Sequence, residues 1–149
     1  MNLGLDIDGT ISAAPAFFRR VARAWRAAGR EVHVISARSD DPQIRRITEE
    51  ELAAWGIPHQ GLHLLPGIAA SQTLCPHGHL DWYSRYLWQK VAIAQALDVT
   101  VYFDDDAKVL SLFSEFAPAI RARPVEPAVT GGREAARELA RVLAMLEAL

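Results

Sequence analysis

The chain has 149 residues, 50% of them hydrophobic and 23% charged, which fits one globular domain with one core. A net charge of −2 gives no general electrostatic case for nucleic-acid binding, although it leaves room for a local basic patch. The single cysteine, Cys75, excludes an intrachain disulfide framework; no apolar run approaches a membrane span and the start lacks signal-peptide features, so the expected setting is cytoplasmic, away from any membrane.

Leu3 to Ile7 is an apolar run that reads as a strand, and it leads into Asp6-Ile7-Asp8-Gly9-Thr10. Pro15 opens a helix in which Phe17, Val21, Ala24, Trp25 and Ala28 recur at helical spacing, and Gly29 ends it. Val32, Val34 and Ile35 form a second strand, stopped by Ser36. Asp41 as N-cap and Pro42 at the first helical position start a helix whose apolar side is Ile44, Ile47 and Leu52; Gly56-Ile57-Pro58 ends it. Leu62 to Leu65 reads as a third strand. From Pro66 to about Asp81 the periodicity is lost, and this stretch reads as an inserted loop or flap. Tyr86, Leu87, Val91, Ala94 and Leu97 mark another helix, and Val99 to Phe103 is a fourth strand running into Asp104-Asp105-Asp106. A helix through Val109, Leu110 and Phe113 follows, then a short edge strand within Ala119 to Val125. After Pro127 and Gly131-Gly132, Arg133 to Leu149 is a strong helix former. Its Leu139, Leu143 and Leu146 side is expected to pack on the domain, with a homodimer contact as the second reading.

Strands that alternate with helices predict an α/β fold: a three-layer, Rossmann-like parallel sheet with helices on both faces, as one domain over 1–149. In such sheets the site lies beyond the carboxyl ends of the central strands. The acidic pair, Ser36 and the acidic triplet all fall at such ends.

Residues i and i+2 of an extended segment point the same way, so Asp6 and Asp8 face one region while Ile7 turns into the packing. Adjacent carboxylates repel unless a cation or a shared proton relieves them, and the triplet adds to the anionic density. Mg²⁺ resolves this, because it takes oxygen ligands and keeps waters and a substrate phosphate. A carboxylate beside such a metal can attack phosphorus to form an aspartyl-phosphate, and a second carboxylate can carry the proton. Ser36 offers a hydroxyl, Lys90 a cation (with Arg85 as a rival), and Gly9 lets backbone amides near Thr10 approach an anion.

At this point the residues resemble the haloacid dehalogenase-like (HAD) superfamily, most of whose members are magnesium-dependent phosphatases. Asp-Ile-Asp-Gly-Thr resembles the first motif of that family, Val32-His33-Val34-Ile35-Ser36 the second, Lys90 the third, and Val101-Tyr102-Phe103-Asp104-Asp105 the fourth. The resemblance implies that Asp6 is the nucleophile and Asp8 the general acid/base. It implies Mg²⁺ held by Asp6, the backbone carbonyl of Asp8, and Asp104 or Asp105, with Ser36 and Lys90 on the phosphoryl oxygens. The short stretch between Thr10 and Pro15 leaves no room for a large cap domain there, so the chain resembles a capless member. An open site of that kind implies a bulky substrate. The spacing is similar both to small deoxynucleotidases and to the phosphatase part of polynucleotide kinases, which implies a phosphorylated small molecule or a nucleic-acid end.

Other readings stand beside this one. Asp8-Gly9 is also a turn former, Ser36 a helix or turn cap, and the triplet a helix N-terminus. Arg38 holds a substrate phosphate or pairs with an acid. Cys75, His77 and His79, with His59 or His63, invite a zinc reading but read better as a surface loop. Trp82, Tyr83, Tyr86 and Trp88 are dense; most should pack, and one can stack on a base. A metal- and phosphate-binding module without turnover is the rival to the enzyme. A phospho-acceptor receiver is disfavoured because the DxD motif comes first.

Overall fold

The computed structural model describes residues 1–125 and 132–149. Five strands form one parallel sheet: β1 (Asn2–Leu5), β2 (Val32–Ser39), β3 (Gly61–Leu65), β4 (Val99–Phe103) and β5 (Arg121–Arg123), in the order β3-β2-β1-β4-β5. Between them run α1 (Pro15–Ala27), α2 (Pro42–Trp55), α3 (Ile68–Leu74), α4 (Trp82–Ala96) and α5 (Ala107–Phe116), and α6 (Gly132–Glu147) closes the chain. No cap domain covers the sheet among the described residues, and no helix among them is long and apolar enough to cross a membrane.

Alternation along the strands splits the core into two. Leu3, Leu5, Val32, Val34, Val101 and Phe103 face α1, α2 and α6, whereas Ile35 and Tyr102 face α4 and α5. The three layers follow from this two-sided burial. Leu139, Val142 and Leu146 of α6 join the same core as α1, so that helix packs on the domain.

Several boundaries lie where local chemistry puts them. Asp41 caps α2, its Oδ1 accepting from the amides of Gln43 (2.8 Å) and Ile44 (2.9 Å), with Pro42 behind it. Others differ from the sequence pattern. β2 runs on past Ser36 to Ser39, because β3 pairs with it across a register shift between those two residues. The stretch 66–81 is not all loop, since it contains α3. That helix shows little periodicity because Ser71 is its buried residue while Ile68 and Leu74 stay exposed. α4 begins four residues before Tyr86, capped by Asp81, whose Oδ1 accepts from the Ser84 amide at 2.7 Å. Lys90 is therefore in the middle of its helix. The edge strand is confined to Arg121–Arg123, and the expected breakers Pro127 and Gly131 lie outside the described residues.

Gly4 leaves its place on the α4–α5 side of β1 empty, and Tyr102 fills it. A Cβ at position 4 would lie 2.5 Å from Tyr102 Cδ2. Tyr102 cannot retreat, because it is fully buried and stacked on Phe113 (centroids 4.4 Å apart, planes at 19°). Gly4→Ala is expected to cost about 1–3 kcal/mol through overpacking, read as a lowered midpoint in urea unfolding.

Candidate active site

The strand order reverses at β1 and β4, neighbours reached from opposite directions, and ligand sites of open α/β sheets form at such a point. Asp6 stands just past β1, its amide donating to the Phe103 carbonyl (3.0 Å) at the end of β4. The chain then makes an irregular helical turn over Ile7–Ile11, anchored by the buried Ile7 and Ile11. The first strand stops at Leu5, short of the expected Ile7, because the chain turns after Asp6; Ile7 is buried all the same, from the turn and not from an extended segment. Gly9 sits at φ +80°, and a Cβ there would meet Asp105 Oδ2 at 2.2 Å. Thr10 is buried between the two carboxylates its hydroxyl can reach, Asp6 Oδ2 (3.2 Å) and Asp105 Oδ1 (3.4 Å).

Lys90 descends from α4 into the same place. Its Nζ, on a side chain 3% exposed, donates to Asp6 Oδ1 and to Asp104 Oδ2, each at 2.8 Å. Asp104 is held from two more directions: the Tyr102 hydroxyl lies 3.0 Å from its Oδ2, and the Asp106 amide donates to its Oδ1 at 2.9 Å. Two buried carboxylates thus share one ammonium, leaving an excess negative charge. Burial, reinforced by Asp104, pushes the Asp6 carboxyl up to about 6 against the opposing pull of Lys90. Burial alone would lower the Lys90 ammonium, but Asp6 and Asp104 outweigh it and raise it. Oxygens of Asp6, Asp104 and Asp105 lie within 4.8 Å of one another, close enough to hold one metal ion, and oxygen-only carboxylate donors suit a hard divalent cation. Asp104 is the buried member of the alternative pair and Asp105 the exposed one.

These groups line a cavity of about 320 Å³, together with Asp8, Ser36 and Arg38. Asp8 is more open than Asp6, its side chain 65% exposed. Arg38 grips it with two hydrogen bonds, Nε to Oδ2 (2.9 Å) and a terminal nitrogen to Oδ1 (2.8 Å), and these hold the Asp8 carboxyl below its ordinary range. The other arm of Arg38 donates to Thr48 Oγ1 at 3.0 Å and to Glu51 on α2. Of the two readings of Arg38, the structure shows the pairing with acids. Ser36 is buried at the cavity wall and accepts from the Arg38 amide at 3.2 Å, so its hydroxyl proton is available to another acceptor.

The structure therefore brings Asp6, Asp8, Ser36 and Lys90 to one cavity with Asp104 and Asp105, and places Gly9 and Thr10 against its acids. Arg85, the rival to Lys90, turns elsewhere and donates to the Gln72 carbonyl at 2.6 Å, tying α4 to the segment before it. Among the described residues, Cys75, His77 and His79 do not form a cluster of ligand atoms. Cys75 is buried, and His77 stacks on Phe116 with centroids 4.1 Å apart. Tyr102 and the Thr48–Glu51 pair also reach this site, and none of the three stands out in the sequence as a candidate. A tyrosine amid the apolar residues of β4 is a readable hint, but the α2 pair looks like any helix surface.

No family model matches the chain, and no curated protein matches it. Among solved structures, it is similar to a chain of the Pnkp1/Rnl/Hen1 RNA repair complex, with a TM-score of 0.57 and 17% sequence identity over 83% of this chain and 42% of that one. At that identity the likeness is one of fold, and this chain spans less than half of that chain's length.

Lys90→Met is expected to leave Asp6 and Asp104 facing each other without a cation, at a cost of roughly 3–5 kcal/mol in metal-free buffer, measured by urea unfolding. The Asp6 shift sets a pH dependence. The unfolded chain releases this proton near 3.8 and the folded chain near 6, so between those values the folded state binds more protons and rising pH favours unfolding. The unfolding free energy of Asp6→Asn should therefore gain on wild type from pH 4 to 6 without divalent cations, by about 1–3 kcal/mol. A parallel pH course for the two proteins would contradict the shift.

Proposed function

We propose that the chain is a Mg²⁺-dependent phosphomonoesterase working through a phosphorylated Asp6, on a nucleotide, nucleic-acid end or other bulky phosphate. The observation that carries this reading is the convergence of Asp6, Lys90, Asp104 and Asp105 on one open cavity, with a second carboxylate, Asp8, beside the first. The motif resemblance and a fold like that of a chain in an RNA repair complex support it.

Asp6 with Asp104 and Asp105 would hold Mg²⁺, joined by the Asp8 carbonyl. Bound there, the metal would offset the excess carboxylate charge and draw charge from the phosphoryl oxygens. An Asp6 carboxylate oxygen bonds to phosphorus as the bond from phosphorus to the ester oxygen breaks, and Asp8 delivers a proton to that leaving oxygen. Water then adds to phosphorus, Asp8 takes its proton, and the Asp6–phosphorus bond breaks to release inorganic phosphate. Lys90 and the Ser36 hydroxyl supply donors to the phosphoryl oxygens. Asp8 carries a proton only when Arg38 lets go of it. An incoming phosphate dianion competes for the same guanidinium, which gives Arg38 a substrate-binding role in addition to its pairing with acids.

The pairing of Asp8 with Arg38 also favours a second reading, a metal- and phosphate-binding module of the same fold. It predicts a melting temperature raised by Mg²⁺ with no phosphate released from any substrate. The two readings separate on hydrolysis of an aryl phosphate with Mg²⁺. The enzyme reading expects release that falls to background with chelator and in Asp6→Asn, and by about 10²–10⁴-fold in Asp8→Asn. Release that survives Asp6→Asn would remove the phospho-Asp6 mechanism.

A further inference from the structure

The floor of the cavity accounts for a phosphate, but its wall continues upward along α4. Tyr83, Leu87 and Lys90 recur at i, i+4 and i+7, which puts them on one helix face, and all three line the cavity. At the helical rise, Tyr83 stands roughly 10 Å nearer the helix start than Lys90. Lys90 is at the buried floor, Leu87 forms an apolar wall, and Tyr83, 39% exposed, is at the rim. Trp82 beside it is 57% exposed, with ring centroids 5.5 Å apart and planes at 59°. Lys108 Nζ lies 5.3 Å from the Tyr83 ring centroid, and it is shared at the same rim with Asp81, whose Oδ2 is 3.5 Å away.

The neighbouring aromatics have structural occupations. Tyr86 is buried and its hydroxyl bonds the Ala37 carbonyl, and Trp88 packs against the core. Tyr83 keeps about two fifths of its surface, and Trp82 more than half, open to solvent, Tyr83 at the mouth of a polar cavity and Trp82 beside it. The hollow on the other side of Arg38, about 420 Å³, is lined by Ile44, Ile47 and Glu51. It offers no ring, and the cation on its wall, Arg38, is already engaged by Glu51 and Asp8. The α4 wall is the exit that combines an apolar path, π faces and a cation, as single-stranded nucleic-acid sites do.

We propose that Tyr83, flanked by Trp82 and Lys108, is a stacking subsite for the nucleobase of a substrate whose phosphate rests at Lys90. This rests on the phosphatase reading of the cavity and narrows it to base-bearing esters, either a free nucleotide or a nucleic-acid end. A glycerol or sugar phosphate fills the floor but presents no π face to the rim.

The test has two arms. In the first, kcat/KM is measured for thymidine monophosphate, for a short single-stranded oligonucleotide with a terminal phosphate, and for glycerol phosphate. The nucleotide-to-glycerol phosphate ratio should fall about 5- to 150-fold in Tyr83→Ala, the value of one stacked base, and hold in Tyr83→Phe. A ratio unchanged in Tyr83→Ala while wild type hydrolyses glycerol phosphate overturns the subsite and leaves the phosphatase standing. A preference of wild type for the oligonucleotide over the mononucleotide supports the subsite and assigns its base to a nucleic-acid end; the reverse supports it and assigns a free nucleotide. In the second arm, a fluorescein-labelled oligonucleotide with a terminal phosphate is bound to the Asp6→Asn protein and followed by anisotropy. This arm needs no turnover, so it decides the subsite even if no substrate is hydrolysed. Tyr83→Ala on that background should weaken binding at least about 5-fold, and equal affinity overturns the proposal.

Discussion

One ammonium held between two buried carboxylates is the interaction on which the rest of the site depends. Lys90 joins Asp6 at the end of β1 to Asp104 at the end of β4, and it comes from a helix on one face of the sheet. Burying charges this deeply costs several kcal/mol per ion unless nearly every lone pair is satisfied. Tyr102, the Asp106 amide and Thr10 provide that satisfaction from three further positions. The arrangement nevertheless stays one positive charge short. Burial first, and that deficit second, make Asp6 hard to ionise, and the deficit is the electrostatic condition that a divalent cation would meet.

The fold supplies this geometry through its middle. β1 is the central strand, and it is narrow on one side because Gly4 has no side chain. Tyr102 crosses over it toward the middle of β2, where its hydroxyl stands between the Ile35 carbonyl and Asp104. Packing on the α4–α5 side and the electrostatics at the carboxyl edge are thus one structure. The opposite wall is looser. Asp8 is reached by Arg38 from β2, and Arg38 is itself steadied by Thr48 and Glu51 of α2, so the Asp8 carboxylate is set by an outer layer of polar contacts.

The parts legible in the sequence were those with a local cause. Leu3–Leu5 and Val99–Phe103 announce themselves as apolar runs that end in acids, although the apolar Ile7 beyond Asp6 makes the first strand look two residues longer than it is. Asp41-Pro42 and Gly56 mark both ends of a helix by cap chemistry alone, and topology then brings the acids together without any further signal. What was hidden depends on contacts between distant segments. α3 contributes little apolar surface, so no periodicity betrays it. The buried positions of α4, which include Ser84, Gln89 and Lys90, spread around a helix covered on several sides, and its true start shows only as a capping aspartate. Arg38 illustrates the limit. Its nearness to Ser36 in the chain marks it as a candidate, but which charge it holds is decided by Asp8 and Glu51, and neither is its neighbour in sequence.

Gly9 and Asp105 meet from distant segments of the chain, with the acid occupying the space that a β-carbon would take. Each position therefore sets the admissible alphabet of the other. A side chain at 9, already strained by the φ of +80°, also clashes unless 105 shortens or turns away, and shortening 105 removes a carboxylate from the cluster. In descendants of this chain the two sites should drift as a linked pair, so that the history of the first loop is written partly in the residue after Asp104.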